Sequence, residues 1–438
     1  MINPAATPAG KNPRRGGSRT APTAATPAGT SPRGATAVAA MDTIRLPELD
    51  RWLLFAALAL LTLGLLMVAS ASMPLASSHT NQPFYYLIRQ AAYVSTGLLF
   101  GVLALQIPVE TWRRNAPGLL LAAIGLLLLV LVPGVGREVN GSTRWLSLGL
   151  VNVQVSEAAK LFALIYLASY LQRHGAALQS STMAMLRPLL VLGMLAVLLL
   201  LEPDFGTAVV MLATALGMLF LAGVNVWRFT ALQGLVIGAM AVLLYSSHYR
   251  RARLISFLDP WADPLKSGFQ LTQSLIAIGR GELFGVGLGA SVQKLFYLPE
   301  SYTDFLFAIL AEELGLLGIL TVVALYVILI WRAFAIAARA ERLELRFASH
   351  LAYGIGLWFG IQALFNMGVN MGVLPTKGLT LPLMSYGGSS VVVMCVALAI
   401  LLRVDQETRF AEAPSEPEAT APTGGQEWLS ALLARVQR

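Results

Sequence analysis

The chain has 438 residues; 56% are hydrophobic, only 12% are charged, and the formal net charge is +8 at pH 7. The charged share is about half that of an ordinary soluble domain. The apolar residues gather in runs of about 17–25, long enough to cross a bilayer as helices, which excludes a soluble globular protein. The positive surplus therefore bears on membrane sidedness and not on nucleic acid. The single cysteine, Cys395, excludes an intramolecular disulfide, and the four scattered histidines offer no metal-ligand spacing.

Residues 1–50 read as a basic cytoplasmic tail. Residues 1–40 are rich in Ala, Pro, Gly, Ser and Thr, and carry Lys11, Arg14, Arg15, Arg19 and Arg33 with no acid. Such a segment buries too little apolar area to offset its ordering entropy and is predicted to be disordered. The competing reading is a docking arm for a partner or for anionic lipid. Met41 is an alternative start. The first apolar run begins too late and runs too long for a cleaved signal peptide.

Apolar runs fall at 52–72, 86–107, 117–133, 155–171, 188–201, 206–223, 229–246, 305–331, 351–373 and 388–404. They predict an all-α polytopic membrane protein of about ten transmembrane helices. With the N-terminus inside, the short inner loops hold Arg113, Arg114, Arg173, Arg187, Arg228, Arg332, Arg339, Arg342 and Arg346. The short outer loops hold only Arg137, Arg144 and Lys377. That bias places both termini in the cytoplasm. The membrane domain is expected at 51–404. A cytoplasmic tail is expected at 405–438, ending in an amphipathic stretch of Trp428, Leu429, Leu432, Leu433 and Val436.

The connection 248–303, between the seventh and eighth spans, is out of scale with the others. It mixes charged, aromatic, glycine and apolar residues, so an ordered, partly re-entrant extracytoplasmic loop is expected. A folded cap without chemistry is the competing reading. Within it, Asp259-Pro260 and Asp263-Pro264 place two acids before prolines, which bias the Asp backbone to extended or turn conformations. The glycine-rich stretch 279–289 is no Walker sequence.

Ionisable residues inside spans are costly and usually face a cavity or a partner. Glu157 and Lys160 lie three apart on one helix face, and the plainer reading is an internal ion pair. Adjacent Glu312 and Glu313 point in different directions, so one is expected to face a cavity and the other to pair with a basic residue. Arg89 lies near the outer end of the second span, and Glu202 and Asp204 bracket Pro203 at an outer turn. Together these charges suggest a polar cavity opening outward; interhelical salt bridges are the alternative.

Several stretches then carry a resemblance. They are Asn140-Gly-Ser-Thr-Arg-Trp-Leu146, Gln154-Val-Ser-Glu157 with Lys160, Glu202-Pro-Asp-Phe-Gly-Thr207, Asp263-Pro with Gly268-Phe-Gln270, Leu298-Pro-Glu300 with Thr303-Asp-Phe305, and Leu374 through Ser390. In this order, from about Arg51 to Arg403, the sequence resembles the SEDS family of peptidoglycan glycosyltransferases. Pro375-Thr-Lys-Gly-Leu-Thr380 and Trp261 look like its cell-division branch. The chain departs from the family pattern at Val155, Lys266, Phe269 and Tyr302, where Pro, Gly, Tyr and His are usual. Tyr302 removes a titratable group.

The resemblance implies polymerisation of lipid II into glycan strands, with inversion at the donor sugar and release of undecaprenyl pyrophosphate. By motif match Asp263 is the catalytic base on the acceptor hydroxyl, and Asp259 is assigned to turn structure. Arg144, Lys160, Arg280 and Lys377 are candidates to meet the pyrophosphate. Ser385, Ser389 and Ser390 are candidate donors, and Glu157, Glu300 and Asp304 complete the expected substrate site. No cofactor is implied apart from a divalent cation, Mg or Mn, as an alternative partner of the pyrophosphate, with no ligand set identified. The implied partners are lipid II, membrane lipid, an FtsI-like class B penicillin-binding protein (the septal transpeptidase) and other division proteins, at the septal inner membrane. A lipid II flippase, a scaffold that recruits through its tails, and an elongation or sporulation member of the family remain alternatives.

Overall fold

A computed structural model describes residues 49–139, 142–147, 152–246, 257–264, 268–375 and 378–412. The elements are α1 (Arg51–Thr80), α2 (Tyr85–Leu105), α3 (Val109–Val130), β1 (Gly136–Val139), β2 (Ser142–Ser147), β3 (Asn152–Gln154), α4 (Val155–Ser180), α5 (Thr182–Leu201), α6 (Phe205–Leu221), α7 (Val226–Tyr245), α8 (Phe269–Arg280), α9 (Leu306–Arg342), α10 (Arg346–Asn370) and α11 (Gly388–Glu412). Each of the apolar runs falls mainly within one helix, and α8 adds a helix from the long loop. Side chains of Asp50, Ser181, Asp204 and Asn225 cap the starts of α1, α5, α6 and α7 by accepting from backbone N–H groups.

The chain is not all helix. Between α3 and α4 lies a three-stranded antiparallel sheet, ordered β1-β2-β3. The stretch Ser142-Thr-Arg-Trp-Leu-Ser147 has no apolar run long enough for a span, and its Thr and Trp favour a strand. The Asn140-Gly141 dipeptide is a hairpin signal in the sequence that the helix count passed over. The last helix also outruns its apolar segment. It continues to Glu412 because Asp405 is buried in ion pairs with Arg339 and Arg409, at 2.7 Å each.

Among the described residues six helices, α1, α2, α3, α5, α9 and α11, are long and apolar enough to cross a membrane, and α6 is a shorter apolar helix of 17 residues. The protein is thus a polytopic membrane protein. Helix α10 packs against α4, α6 and α9, α2 packs against α11, and α7 packs on α6. Helices α1 and α9 run antiparallel and are fastened at two levels. Arg332 pairs with Asp50 at one end, and the hydroxyl of Ser70 donates to Glu313 at 2.7 Å at the other. The 20 residues from Asp50 to Ser70 span about 30 Å, about one hydrocarbon core.

Helix α9 breaks at Gly315, whose φ of 65° and ψ of −160° are not helical. The chain after α8 fills the opening. Val286 and Gly287 donate to the carbonyls of Glu312 and Glu313 at 3.0 and 3.1 Å, and Leu316 and Leu317 donate to Glu282 and Leu283 at 2.9 and 3.2 Å. A Cβ on Gly315 would lie 2.3 Å from the Gly285 nitrogen, so glycine alone permits this approach. Glu312 and Glu313 also depart from expectation, because both pair and neither is left to a cavity. Glu312 accepts from Arg280 at 3.0 Å, from the Ser291 hydroxyl and from Val292 N–H at 3.1 Å; Glu313 accepts from Lys294 at 2.7 Å and from Ser70. Adjacent residues diverge by about 100° on a helix, so one grips the loop directly and the other joins α1 to it.

Candidate functional site

The loop after α10 gathers the site. Helix α10 carries Gln362, Asn366 and Asn370 at a spacing of four, a polar stripe on a buried face. The amide N–H groups of Asn366 and Asn370 donate to the Asp304 carbonyl at 2.9 and 3.0 Å, and Ala308 N–H donates to Asn370 at 3.2 Å. Gln362 donates to the Thr380 carbonyl at 3.0 Å. Neutral amides thus sew α10 both to the start of α9 and to the 378–387 segment.

Glu157 and Lys160 form a buried pair at 3.0 Å in the first turns of α4. Lys160 also donates to Gln362 at 3.0 Å and lies 5.1 Å from the ring centre of Trp358. The Ser390 hydroxyl donates to the other Glu157 oxygen at 3.2 Å, and the Ser389 hydroxyl accepts from Gln154 N–H at 2.8 Å. The start of α11 is thereby tied to β3 and α4. Ser385 lies at one remove. Its hydroxyl accepts from Leu381 N–H at 2.9 Å, while its carbonyl accepts from Gln90 of α2 at 3.1 Å.

The 300–304 segment joins the same centre. Tyr386 N–H donates to the Tyr302 carbonyl at 3.0 Å, and the Tyr302 ring packs against Tyr86 and Tyr386 with centroids 4.9 and 5.5 Å away. The Glu300 carboxylate accepts from Thr303 at 2.7 Å. A Cβ on Gly378 would lie 3.0 Å from Asp304 Oδ2, so that carboxylate faces the 378–380 segment. Lys377 lies outside the described residues.

Two predicted cations sit apart. Arg144 on β2 donates to the carbonyls of Glu202 and Pro203 at 3.3 and 2.9 Å and lies 3.7 Å from Asp204 Oδ1, so it clamps the α5–α6 turn. In that turn the Glu202 carboxyl is fully buried, and neither oxygen has a hydrogen-bond partner among the described residues. Burial first, and then neighbouring Asp204, push it up to about 8 against the pull of Arg144. Arg280 is committed to Glu312.

Asp263 precedes α8. Its carbonyl accepts from Gly268 N–H at 3.1 Å. The Asp259 carboxylate accepts from Ala262 N–H at 3.2 Å, which folds it onto its own turn. The Pro260 carbonyl accepts from the Thr272 hydroxyl at 3.1 Å, anchoring the segment on α8. Among the described residues no group of three or more His, Cys, Asp or Glu converges as a ligand set for a metal.

Sequence reasoning weighed charges and missed Gln90, Lys294 and the amide stripe. The signal for the stripe was present, since three amides at a spacing of four inside an apolar run share a face.

Residues 51–410 match the model of the FtsW/RodA/SpoVE family, described as cell cycle proteins. The chain is 59% identical over 366 residues to a probable peptidoglycan glycosyltransferase FtsW of Thioalkalivibrio sulfidiphilus, covering 83% of this chain and 92% of that one. It is 57% identical to a protein of the same description from Nitrosococcus halophilus, covering 83% and 94%. Among solved structures it resembles a chain of a peptidoglycan synthase complex described as coordinating polymerization and crosslinking. The TM-score there is 0.63 at 31% identity, over 82% of this chain and 98% of that one. The rod shape determining protein RodA of Thermus thermophilus aligns with a TM-score of 0.59 at 30% identity, over 82% and 97%.

Proposed function

Because the chain belongs to the FtsW/RodA/SpoVE cell cycle protein family, we propose that it is a peptidoglycan glycosyltransferase of the cell-division type, polymerising lipid II into septal glycan strands. The observation that carries this reading is the convergence of polar segments from α2, β3–α4, 300–304, α10 and 378–390 at one end of a largely apolar bundle. A substrate that is half sugar and half polyprenyl chain needs such a polar mouth on a lipid-embedded body. Ten spans with both termini in the cytoplasm, set in the inner membrane at the septum, put this mouth on the outer face, where the positive-inside bias places the 248–303 loop.

The acceptor's sugar hydroxyl attacks the anomeric carbon of the donor as the bond to the pyrophosphate oxygen breaks. Attack from the far face inverts that carbon. The hydroxyl proton passes to the Asp263 carboxylate, and undecaprenyl pyrophosphate leaves with the bonding electrons. A base placed this way contributes about 10²–10⁴-fold. The Glu157–Lys160 pair, bonded to Ser390 and Gln362, positions the loop between α10 and α11. Glu300, Asp304, Ser385, Ser389 and Lys377 complete the substrate site. A class B penicillin-binding protein crosslinks the product, a partner class consistent with the synthase complex that the chain resembles.

The test is polymerisation of lipid II by purified protein, resolved on gels. Wild type should make long glycan and Asp263→Ala none, at an unchanged thermal midpoint. Lipid II transport across vesicles with no polymer from either protein would favour a flippase instead.

A further inference from the structure

The cations expected to meet the pyrophosphate are largely spoken for. Arg144, Lys160 and Arg280 each have a carboxylate partner, at 3.7, 3.0 and 3.0 Å, and so does Lys294 at 2.7 Å. Arg89 differs. It is half-buried on α2, and no carboxylate pairs with it among the described residues. Its two terminal nitrogens donate to the hydroxyls of Tyr85 and Tyr93, at 2.7 and 3.1 Å. Its guanidinium carbon lies 5.5 Å from the Tyr85 ring centre.

A guanidinium has five N–H donors, so two are engaged and three remain. Tyr85 and Tyr93 accept from Arg89, which leaves each phenol its own O–H to donate. The cage therefore offers several donors and one uncompensated positive charge. A half-buried cation without a counter-ion is unfavourable, and an anion that fills the site relieves that cost. The guanidinium fork suits phosphate oxygens in two-point contact.

The cage is held rigidly against the site. Gln90, the next residue, donates to the Ser385 carbonyl at 3.1 Å and accepts from Gly387 N–H at 3.4 Å. Tyr93 lies over Gly388 at the start of α11, where a Cβ would stand 2.7 Å from the ring and force it to shift. Tyr386 packs edge-on against Tyr86 and Tyr93, at 5.4 and 6.4 Å. The depth also fits. Leu105, at the far end of α2, accepts from Arg403 at 3.4 Å. Arg89 is 16 residues from it, about 24 Å along the helix and near the far boundary of a core of about 30 Å.

We propose that Arg89, caged by Tyr85 and Tyr93, binds the pyrophosphate of the polyprenyl-linked donor and product. This rests on the glycosyltransferase reading and adds the group that meets the leaving charge. Binding of undecaprenyl pyrophosphate to the purified full chain, by titration calorimetry, tests it, with phosphatidylglycerol as the second probe. Arg89→Ala should weaken undecaprenyl pyrophosphate binding about 30-fold and Arg89→Lys about tenfold, in line with the loss of charged hydrogen bonds. Asp263→Asn should bind as wild type does, and phosphatidylglycerol binding should not respond to Arg89.

Unchanged binding by Arg89→Ala at a wild-type thermal midpoint overturns the assignment. Equal loss of both lipids also overturns it, because the site then reads any lipid phosphate. If Arg89→Ala fails to fold, the double variant Tyr85→Phe, Tyr93→Phe decides: about threefold weaker binding supports the cage and no change removes it. No binding by the wild type removes this proposal together with the reading beneath it, whereas wild-type binding that Arg89→Ala retains removes the proposal alone.

Discussion

Two of the places where the protein buries charge are built differently. At the break in α9, Glu312 and Glu313 are met by Arg280, Lys294, two serines and backbone N–H groups, so cation balances anion and nothing is left for a ligand. At the mouth formed by α2, α4, α10 and the 378–390 segment, the Glu157–Lys160 pair is surrounded by amides and hydroxyls, and Arg89 has phenols for company. Saturated charge fastens a re-entrant segment to the bundle. Neutral donors and an uncompensated cation form a surface that can still bind.

That contrast can be broken by experiment. The largest expected effect is on catalysis alone, with Asp263→Ala lowering lipid II polymerisation at least about 100-fold and leaving the melting curve in place. Loss of stability in step with activity would move Asp263 into the scaffold. The reverse is expected at the staple. Lys294→Met leaves Glu313 buried and unpaired, which should cost about 3 kcal/mol, read as a lower thermal midpoint in detergent. A Lys294→Met protein that melts like wild type but fails to polymerise would make the staple part of the site.

Gln362→Leu is intermediate, because it removes the acceptor of Lys160 and the donor to Thr380 together. It should cost about 2 kcal/mol and lower turnover more than substrate affinity. Glu202 gives a smaller, pH-dependent signal. Its folded pKa of about 8 lies above the ordinary 4.5, so its contribution is intact below 4.5 and is lost as pH rises through about 8. Stability should therefore decline between these values in wild type and decline less in Glu202→Gln, as seen in melting midpoints across that range. The least is expected of Ser385→Ala, about 1 kcal/mol for one hydrogen bond inside the loop.

Much of the body was legible because the bilayer imposes a length and an apolarity that composition reports directly. The apolar runs became helices for that reason. The sheet of β1, β2 and β3 was missed because a count of apolar runs has no sensitivity to short, largely polar segments. The Glu157–Lys160 pair could be read from its spacing, since i and i+3 meet within one helix. The partners of that pair could not, because Gln362 and Ser390 lie 202 and 233 residues away along the chain from their contacts. For the same reason Arg144 and Arg280 looked available in the sequence and are already paired in the fold.

The sequence by itself determined the membrane body, its family and the acids worth mutating, because those follow from local composition and short spacings. Beyond the pairs within one helix, which charges are neutralised was decided by the tertiary structure. An ion pair depends on distance in space, and the packing gave Arg144, Arg280 and Lys294 carboxylate partners far away in the chain or across a turn while leaving Arg89 among tyrosines.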